Sequence, residues 1–307
     1  MVRPDHFGYN QETAASNSFQ QTDGKENLKE IAAKAATEFD GWSLALKTTG
    51  IEVIEFSSVD REDTPDAIFP NNWVSFHSDG KVIIYPMMAP SRRRERKFDF
   101  IIALEKIHLF EVSEIIDISY YEEEGEYLEG TGSLVLDYVN KIVYANNSPR
   151  TSSMLVKKVA KFLGYEVCQF RAVDDAGEDI YHTNVLMGVA GSFAIVCLDA
   201  LKTPDHRNRL VRSLSESGHD LIEISREQMN RFAGNAIELR NDKGKSVLAM
   251  SRNAYDSLTP LQIQTIEKHS TILSAPIDTI EKYGGGSVRC MMAGVYLPRK
   301  PSGTWEQ

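Results

Sequence analysis

SPRTSSMLVKKVAKFLGYEVCQF, residues 148–170, compresses one structural unit into a single stretch. Ser148-Pro149 puts a hydroxyl where a helix N-cap belongs and a proline at the first helical position, where its missing N–H costs nothing. The helical segment LVKKVAKFL follows, Gly164 supplies a helix stop, and the β-rich run YEVCQF begins at Tyr165. The unit recurs. Thr203-Pro204 and Thr259-Pro260 repeat the opening, and Gly50 and Gly218 repeat the stop. Further β-rich runs begin at Ile51 (IEVIEFS), Phe110 (FEVSEIIDIS), His219 (HDLIEIS) and Ser270 (STILSAPI), so successive starts lie 59, 55, 54 and 51 residues apart. Such even spacing predicts five copies of one helix-to-strand unit, each burying its apolar face against its neighbours.

Hairpins are written between the units. WVSFHSDGKVIIYPM, SLVLDYVNKIVYANNS, NVLMGVAGSFAIVCL and NAIELRNDKGKSVLAMS place apolar or alternating strands on either side of polar turns. A fifth, RCMMAGVYLP, lacks a second strand, which the N-terminal MVRPDHFGY is expected to provide, removing the exposed edges of a ring. The predicted fold is α/β: one domain over residues 1–307, a five-sector, pseudo-symmetric α/β propeller.

Composition narrows the partners. With 42% hydrophobic and 25% charged residues the chain reads as globular, and it has no apolar run long enough to cross a bilayer. The N-terminus lacks the basic-then-apolar pattern of a secretory signal, so a cytoplasmic location is expected. A formal net charge of −10 opposes nucleic acid and anionic membranes, and neither is an expected partner. One basic cluster, Arg92, Arg93, Arg94, Arg96 and Lys97, reads as a solvated helix face. The three cysteines, Cys168, Cys197 and Cys290, show no zinc or CxxC spacing and cannot all pair. Cys168 and Cys197 sit inside apolar strands and read as core. The oligomeric state is left open, a homo-oligomer included.

In a ring of this kind the residues just before each hairpin converge on the axis. They are FPNNW (Phe69 to Trp73), LEGTGS (Leu128 to Ser133), YHTN (Tyr181 to Asn184), FAGN (Phe232 to Asn235) and GGGSVRC (Gly284 to Cys290). Between them they hold Cys290, His182 and Glu129 with several amides, the inventory of a thiol nucleophile, a base and a carboxylate that orients it. Three glycines ahead of Cys290 let the backbone come close to a ligand and offer it N–H groups. No His-rich or paired-carboxylate spacing calls for a metal, so neither metal nor organic cofactor is expected. The acidic loop Glu122–Glu126 is a candidate lid.

LEGTGS, YHTN and GGGSVRCM resemble the Glu, His and Cys motifs of the guanidino-group-modifying (pentein) superfamily, which includes arginine deiminases, dimethylarginine hydrolases and amidinotransferases. The similarity runs nearly end to end. It implies a five-sector propeller, attack by Cys290 to form a covalent intermediate, proton transfer by His182, and Glu129 on the substrate nitrogens. APSRRRE and NNSPRT are similar to dimethylarginine hydrolase segments whose arginines hold the substrate carboxylate, which implies that role for Arg92 and Arg150. Where arginine-type members carry aspartates, this chain has Asn72 and Asn184. An amide both donates and accepts, so it matches a ureido group. Asp66 remains as an acidic contact. MVRP, FPNNWVSFH and FAGN most resemble the citrulline-utilisation hydrolase branch. The resemblance therefore implies hydrolysis of citrulline to ornithine, ammonia and carbon dioxide, with a small amino acid as the partner. Arginine deimination, amidino transfer and a non-catalytic scaffold are the alternatives.

Overall fold

The structure, a computed structural model, describes residues 1–22, 24, 27–59 and 64–300. Its strands fall into five sheets: β1 (Val2–Arg3) with β2 (Phe56–Ser57); β3 (Val74–Phe76), β4 (Lys81–Ile84) and β5 (Glu114–Asp117); β6 (Leu134–Asp137), β7 (Ile142–Asn146) and β8 (Glu166–Phe170); β9 (Met187–Val189), β10 (Phe193–Val196) and β11 (Asp220–Glu223); β12 (Ile237–Arg240), β13 (Ser246–Ser251) and β14 (Thr271–Ala275). Each three-stranded sheet obeys one rule. The hairpin strands pair antiparallel, and the second of them pairs parallel with the β-rich run. A parallel partner cannot be reached by a tight turn, so each run is preceded by a crossover helix. Those helices are Phe98–Lys106, Ser153–Leu163, Pro204–Glu216 and Pro260–Glu267.

The crossover from the opening stretch shows why the helix forms. Leu155, Val156, Val159 and Ala160 share one face and are buried, and each large apolar side chain so removed from water contributes about 1.5–3 kcal/mol. Gly164 ends the helix in the left-handed region at φ +69°, where a Cβ is costly. Thr203 and Thr259 cap their helices as the sequence predicts, each accepting from a backbone N–H with proline behind it. Ser148 does not. Its hydroxyl donates to Tyr181 O at 2.7 Å and accepts from Arg150 N at 3.2 Å, so it is spent on a turn, and the helix starts later with Ser152 as N-cap.

The fifth sheet departs from the expected closure. β1 takes the place of the second hairpin strand, but its pairing is with β2, in parallel, across the helix Leu28–Thr48. RCMMAGVYLP does not gain it as an antiparallel partner; Val295 instead bridges Phe76 in parallel. The reason lies in the first residues of that segment. Cys290 N donates to Ser287 O and Met291 N to Val288 O, so a tight turn uses the backbone that a hairpin would need. Five sheet units with flanking helices are therefore present, four of them following the full rule and the fifth keeping only the parallel crossover pair.

A cavity of about 560 Å³ runs along the first strands of the hairpins and reaches Asn184 and Arg289 at one end. No helix among the described residues is long and apolar enough to cross a membrane.

Candidate active site

The residues ahead of the hairpins do come together. Short helical turns carry them: Pro70–Asn72 before β3, Gly130–Ser133 before β6 and Thr183–Leu186 before β9, with Glu129 and His182 at the N-caps of the last two. Two glycines make the LEGTGS turn possible. Gly130 has φ +45°, and a Cβ on Gly132 would lie 2.6 Å from His182 Nδ1 and also against the Asn72 amide. Gly132→Ala is expected to push His182 and Asn72 apart and lower turnover at least tenfold, with a smaller change in melting temperature; parallel activity and thermal-unfolding measurements test this.

Glu129 is fully buried and multiply held. Its Oε1 accepts from Met88 N at 3.1 Å, and its Oε2 lies 2.8 Å from His182 Nε2 and 3.5 Å from Arg150 Nη1. Burial opposes its ionisation, but Arg150 and the His182 hydrogen bond outweigh it and hold the carboxyl far below the usual carboxylate range. A carboxylate can only accept, which assigns the proton of that contact to His182 Nε2 and leaves Nδ1 with its lone pair free. Burial lowers the imidazole to about 4 against the pull of Glu129, so it is neutral at neutral pH and able to take a proton.

Cys290 is 3% exposed and shares with His182 a cavity of about 10 Å³ whose wall also includes Asp66, Asn72, Arg92 and Arg150. The recorded hydrogen-bond partners of Sγ are two amides. Asn184 Nδ2 lies at 3.4 Å and Asn235 Nδ2 at 3.3 Å. Cys168 and Cys197 are buried in the apolar core, and burial pushes both thiols up.

All eight residues singled out from the sequence are buried around this point. Arg92 is not the solvated residue that the basic cluster suggests. Its Nε and Nη2 grip Glu95 at 2.7 and 2.9 Å, and its Nη1 reaches Asn72 Oδ1 at 3.1 Å. Arg93 bonds Met87 O, and Arg96 pairs with Glu122, so of the five cations only Arg94 is classed as exposed. Arg150 donates to Thr13 O at 2.8 Å and to Ser16 Oγ. Asp66 Oδ2 accepts from Asn10 at 2.8 Å and Thr13 at 3.3 Å, 3.9 Å from Arg92 Nε.

Asn10, Thr13 and Ser16 belong to a segment to which the sequence reading assigns no role, yet it covers the site, with Thr13 and Asn17 in the cavity wall. Asn17 Nδ2 donates to Gly284 O and Gly285 O, and Gln21 N donates to Lys282 O. The acidic loop is not that cover: Ser119–Glu124 is a 3-10 turn whose Glu122 is engaged with Arg93, Arg96 and Met87 N.

Among the described residues, the buried side-chain polar atoms without a partner are Trp42 Nε1, Asn71 Nδ2 and Oδ1, and three at this site: Asp66 Oδ1 and Asn72 Nδ2, whose residues line the cavity, and Asn184 Oδ1 beside Cys290. Each orphaned group costs about 1–3 kcal/mol, so their concentration beside one thiol marks a place kept ready for a polar ligand.

A family model described as N,N dimethylarginine dimethylhydrolase, eukaryotic, matches residues 3–297. The chain belongs to this family, within the guanidino-group-modifying superfamily. No curated protein sequence matches it. Among solved structures, the fold is similar to that of ArgZ, an arginine dihydrolase from the ornithine-ammonia cycle in cyanobacteria, at TM-score 0.73 and 17% identity over 98% of this chain and 41% of that one. The N-terminal domain of ArgZ, as a Cys-to-Ser variant bound to substrate, matches at TM-score 0.71 and 16% identity over 95% of each chain. A dimethylarginine dimethylaminohydrolase variant carrying an S-methyl-L-thiocitrulline adduct matches at TM-score 0.60 and 16% identity over 94% of this chain and 96% of that one. These likenesses establish the fold. The chain spans about two fifths of full-length ArgZ.

Proposed function

We propose that this chain is a cysteine-dependent hydrolase of the guanidino group of L-arginine that also accepts the ureido group left by the first hydrolysis. The observation that carries the reading is the set of unpartnered donors and acceptors around Cys290, His182 and Glu129. The buried charges explain the choice of arginine. Arg92 faces Glu95 and Arg150 faces Glu129, which leaves the carboxyl of Asp66 as the surplus acid. Burial raises that carboxyl while Arg92 opposes the rise, and a cationic substrate restores its charge. Relatives described as an arginine dihydrolase and as AgrE bound to L-arginine support the same direction.

In the proposed reaction, His182 Nδ1 takes the proton of Cys290, and the thiolate adds to the guanidino carbon. One nitrogen leaves as ammonia with the proton from His182. Water, deprotonated by His182, adds to the resulting thiouronium, and Cys290 departs as thiolate to leave the ureido product. In a second round the thiolate adds to the ureido carbon and ammonia leaves with the proton from His182; water deprotonated by His182 then hydrolyses the resulting carbamoyl thioester, Cys290 departs as thiolate, and the N-carbamate loses carbon dioxide to give ornithine. Glu129 keeps Nε2 protonated throughout. Arg92 and Arg150 retain N–H groups for the substrate carboxylate, and Asp66 faces its cationic end. The five units close around an axis that passes through this chamber, no cofactor takes part, and the reaction belongs to the cytoplasm. A cavity of about 10 Å³ admits roughly one water, so the Asn10–Gln21 cover lifts for entry.

Citrulline as the sole substrate is the second reading. One observation favours it: Arg92 fixes Asn72 Oδ1, which turns an unpartnered N–H toward the cavity, and a ureido oxygen accepts from it where a guanidinium has no acceptor. Product analysis separates the readings. Arginine is expected to yield ornithine and ammonia with citrulline in transit, and agmatine, which lacks the carboxylate, to react slower by on the order of 100-fold. Turnover of citrulline but not arginine would favour the second reading; ammonia from neither would refute both.

A further inference from the structure

FAGN is the one hairpin mouth without a role in the scheme above, and its geometry is unusual. Phe232 is a non-glycine residue at φ +62°, and Gly234 lies so close to the neighbouring sector that a Cβ there would meet Val185 O at 2.6 Å and Leu186 C at 2.8 Å. The turn thus holds Asn235, which is fully buried, against both Asn184 and the cysteine. Most amides can be turned over without changing the fit, but this one is keyed at both ends by backbone. Its Oδ1 accepts Arg289 N–H at 3.1 Å, and its Nδ2 donates to Asn184 O at 2.9 Å. Its N–H therefore reaches Cys290 Sγ at 3.3 Å, while Oδ1 stands farther from the sulfur at 3.7 Å, where the protonated thiol donates to it and the thiolate retains only the N–H contact. Asn184 Nδ2 approaches the same sulfur at 3.4 Å, but its Oδ1 has no partner, so nothing fixes its orientation.

We infer that Asn235 is a further catalytic residue, whose side-chain amide donates to Cys290 Sγ and stabilises it as the thiolate while holding the backbone on which the cysteine is mounted. The inference rests on the reading of Cys290 as nucleophile. A donor aimed at developing anionic charge in a water-poor site acts as an oxyanion-hole group does, and loss of one such donor costs about 100- to 1,000-fold in rate.

Asn235→Asp tests it, because the carboxylate keeps an acceptor for Arg289 N–H but turns negative charge toward the sulfur. Alkylation of Cys290 by iodoacetamide, followed on the Cys290 peptide by mass spectrometry across pH, is expected to show its midpoint moved up by at least one unit, with kcat reduced about 100-fold. The midpoint of Asn235→Ser is expected to rise as well, and that variant also serves if the aspartate protein does not fold. Because a carboxylate beside a thiol raises its midpoint by itself, Asn235→Ser is the deciding variant: an unchanged midpoint in the folded serine protein overturns the inference, since a merely structural role would lower activity without moving it. The peptide readout does not depend on turnover. A shifted midpoint with full activity would therefore support the contact and defeat the nucleophile reading instead.

Discussion

Cys290→Ala is expected to lower release of ammonia from arginine or citrulline by on the order of 10⁵-fold, because a covalent step has no substitute once its nucleophile is gone. The loss should be chemical, not structural. Cys290 is buried among Ile280, Tyr283, Met291 and other apolar side chains, and removing one sulfur there changes stability by about 1 kcal/mol. The pairing of measurements matters: ammonia release and thermal unfolding on the same preparation, with substrate binding followed by calorimetry. Retained binding and a near-native melting temperature with no turnover is the expected pattern. Ornithine produced by the alanine variant at more than a few per cent of the wild-type rate would end the proposed mechanism.

Glu129→Gln should be nearly as damaging to turnover, and in addition damaging to the fold. The carboxylate faces Arg150 and His182 with all three side chains buried, and removing the anion from a buried pair leaves its cation uncompensated, at about 3–5 kcal/mol. For a chain of this size that corresponds to a fall of roughly 10 °C in melting temperature. Catalysis suffers by a separate route. An amide donor facing Nε2 favours the opposite tautomer of His182, which puts the proton on Nδ1 and removes the lone pair from the side where a base is needed. A loss of on the order of 10³- to 10⁴-fold is expected, and Glu129→Asp should recover part of it. A glutamine variant with more than a tenth of wild-type activity would show that the carboxylate does not set the tautomer.

The sequence carries the fold through period more than through any single motif. Five β-rich runs at nearly constant spacing, with capping threonines at 203 and 259 and glycine stops at 50, 164 and 218, all point to one repeated crossover, and the sheets obey it. Glu129 and His182 could be placed by the same reasoning, each standing at the turn before a hairpin strand, whereas Cys290 precedes a segment that forms no hairpin and still lines the same small cavity as His182. What escaped was decided by partners far along the chain. Asn10 meets Asp66 and Asn17 meets Gly284, so a polar stretch with no role assigned from the sequence becomes a cover. Arg92 sits in a basic run that resembles a solvated face, and only the buried Glu95 three residues on, together with Asn72, draws it inward. Asn235 was in view as part of FAGN, but its orientation depends on one backbone N–H and one carbonyl that no local pattern announces.

Two pairings tie distant parts of the chain together: Val2 pairs with Phe56, and Val295 reaches back to Phe76 at the edge of another sheet. Contacts spanning more than two hundred residues impose a large entropic toll before they return anything, and topologies rich in them assemble slowly. During synthesis the sulfur emerges after the strands of all five sheets, the last of which ends at Ala275. Cys290 is thus the last of the site residues to be made, and a nascent chain halted before it would carry the strands of every sheet without the thiol that they surround.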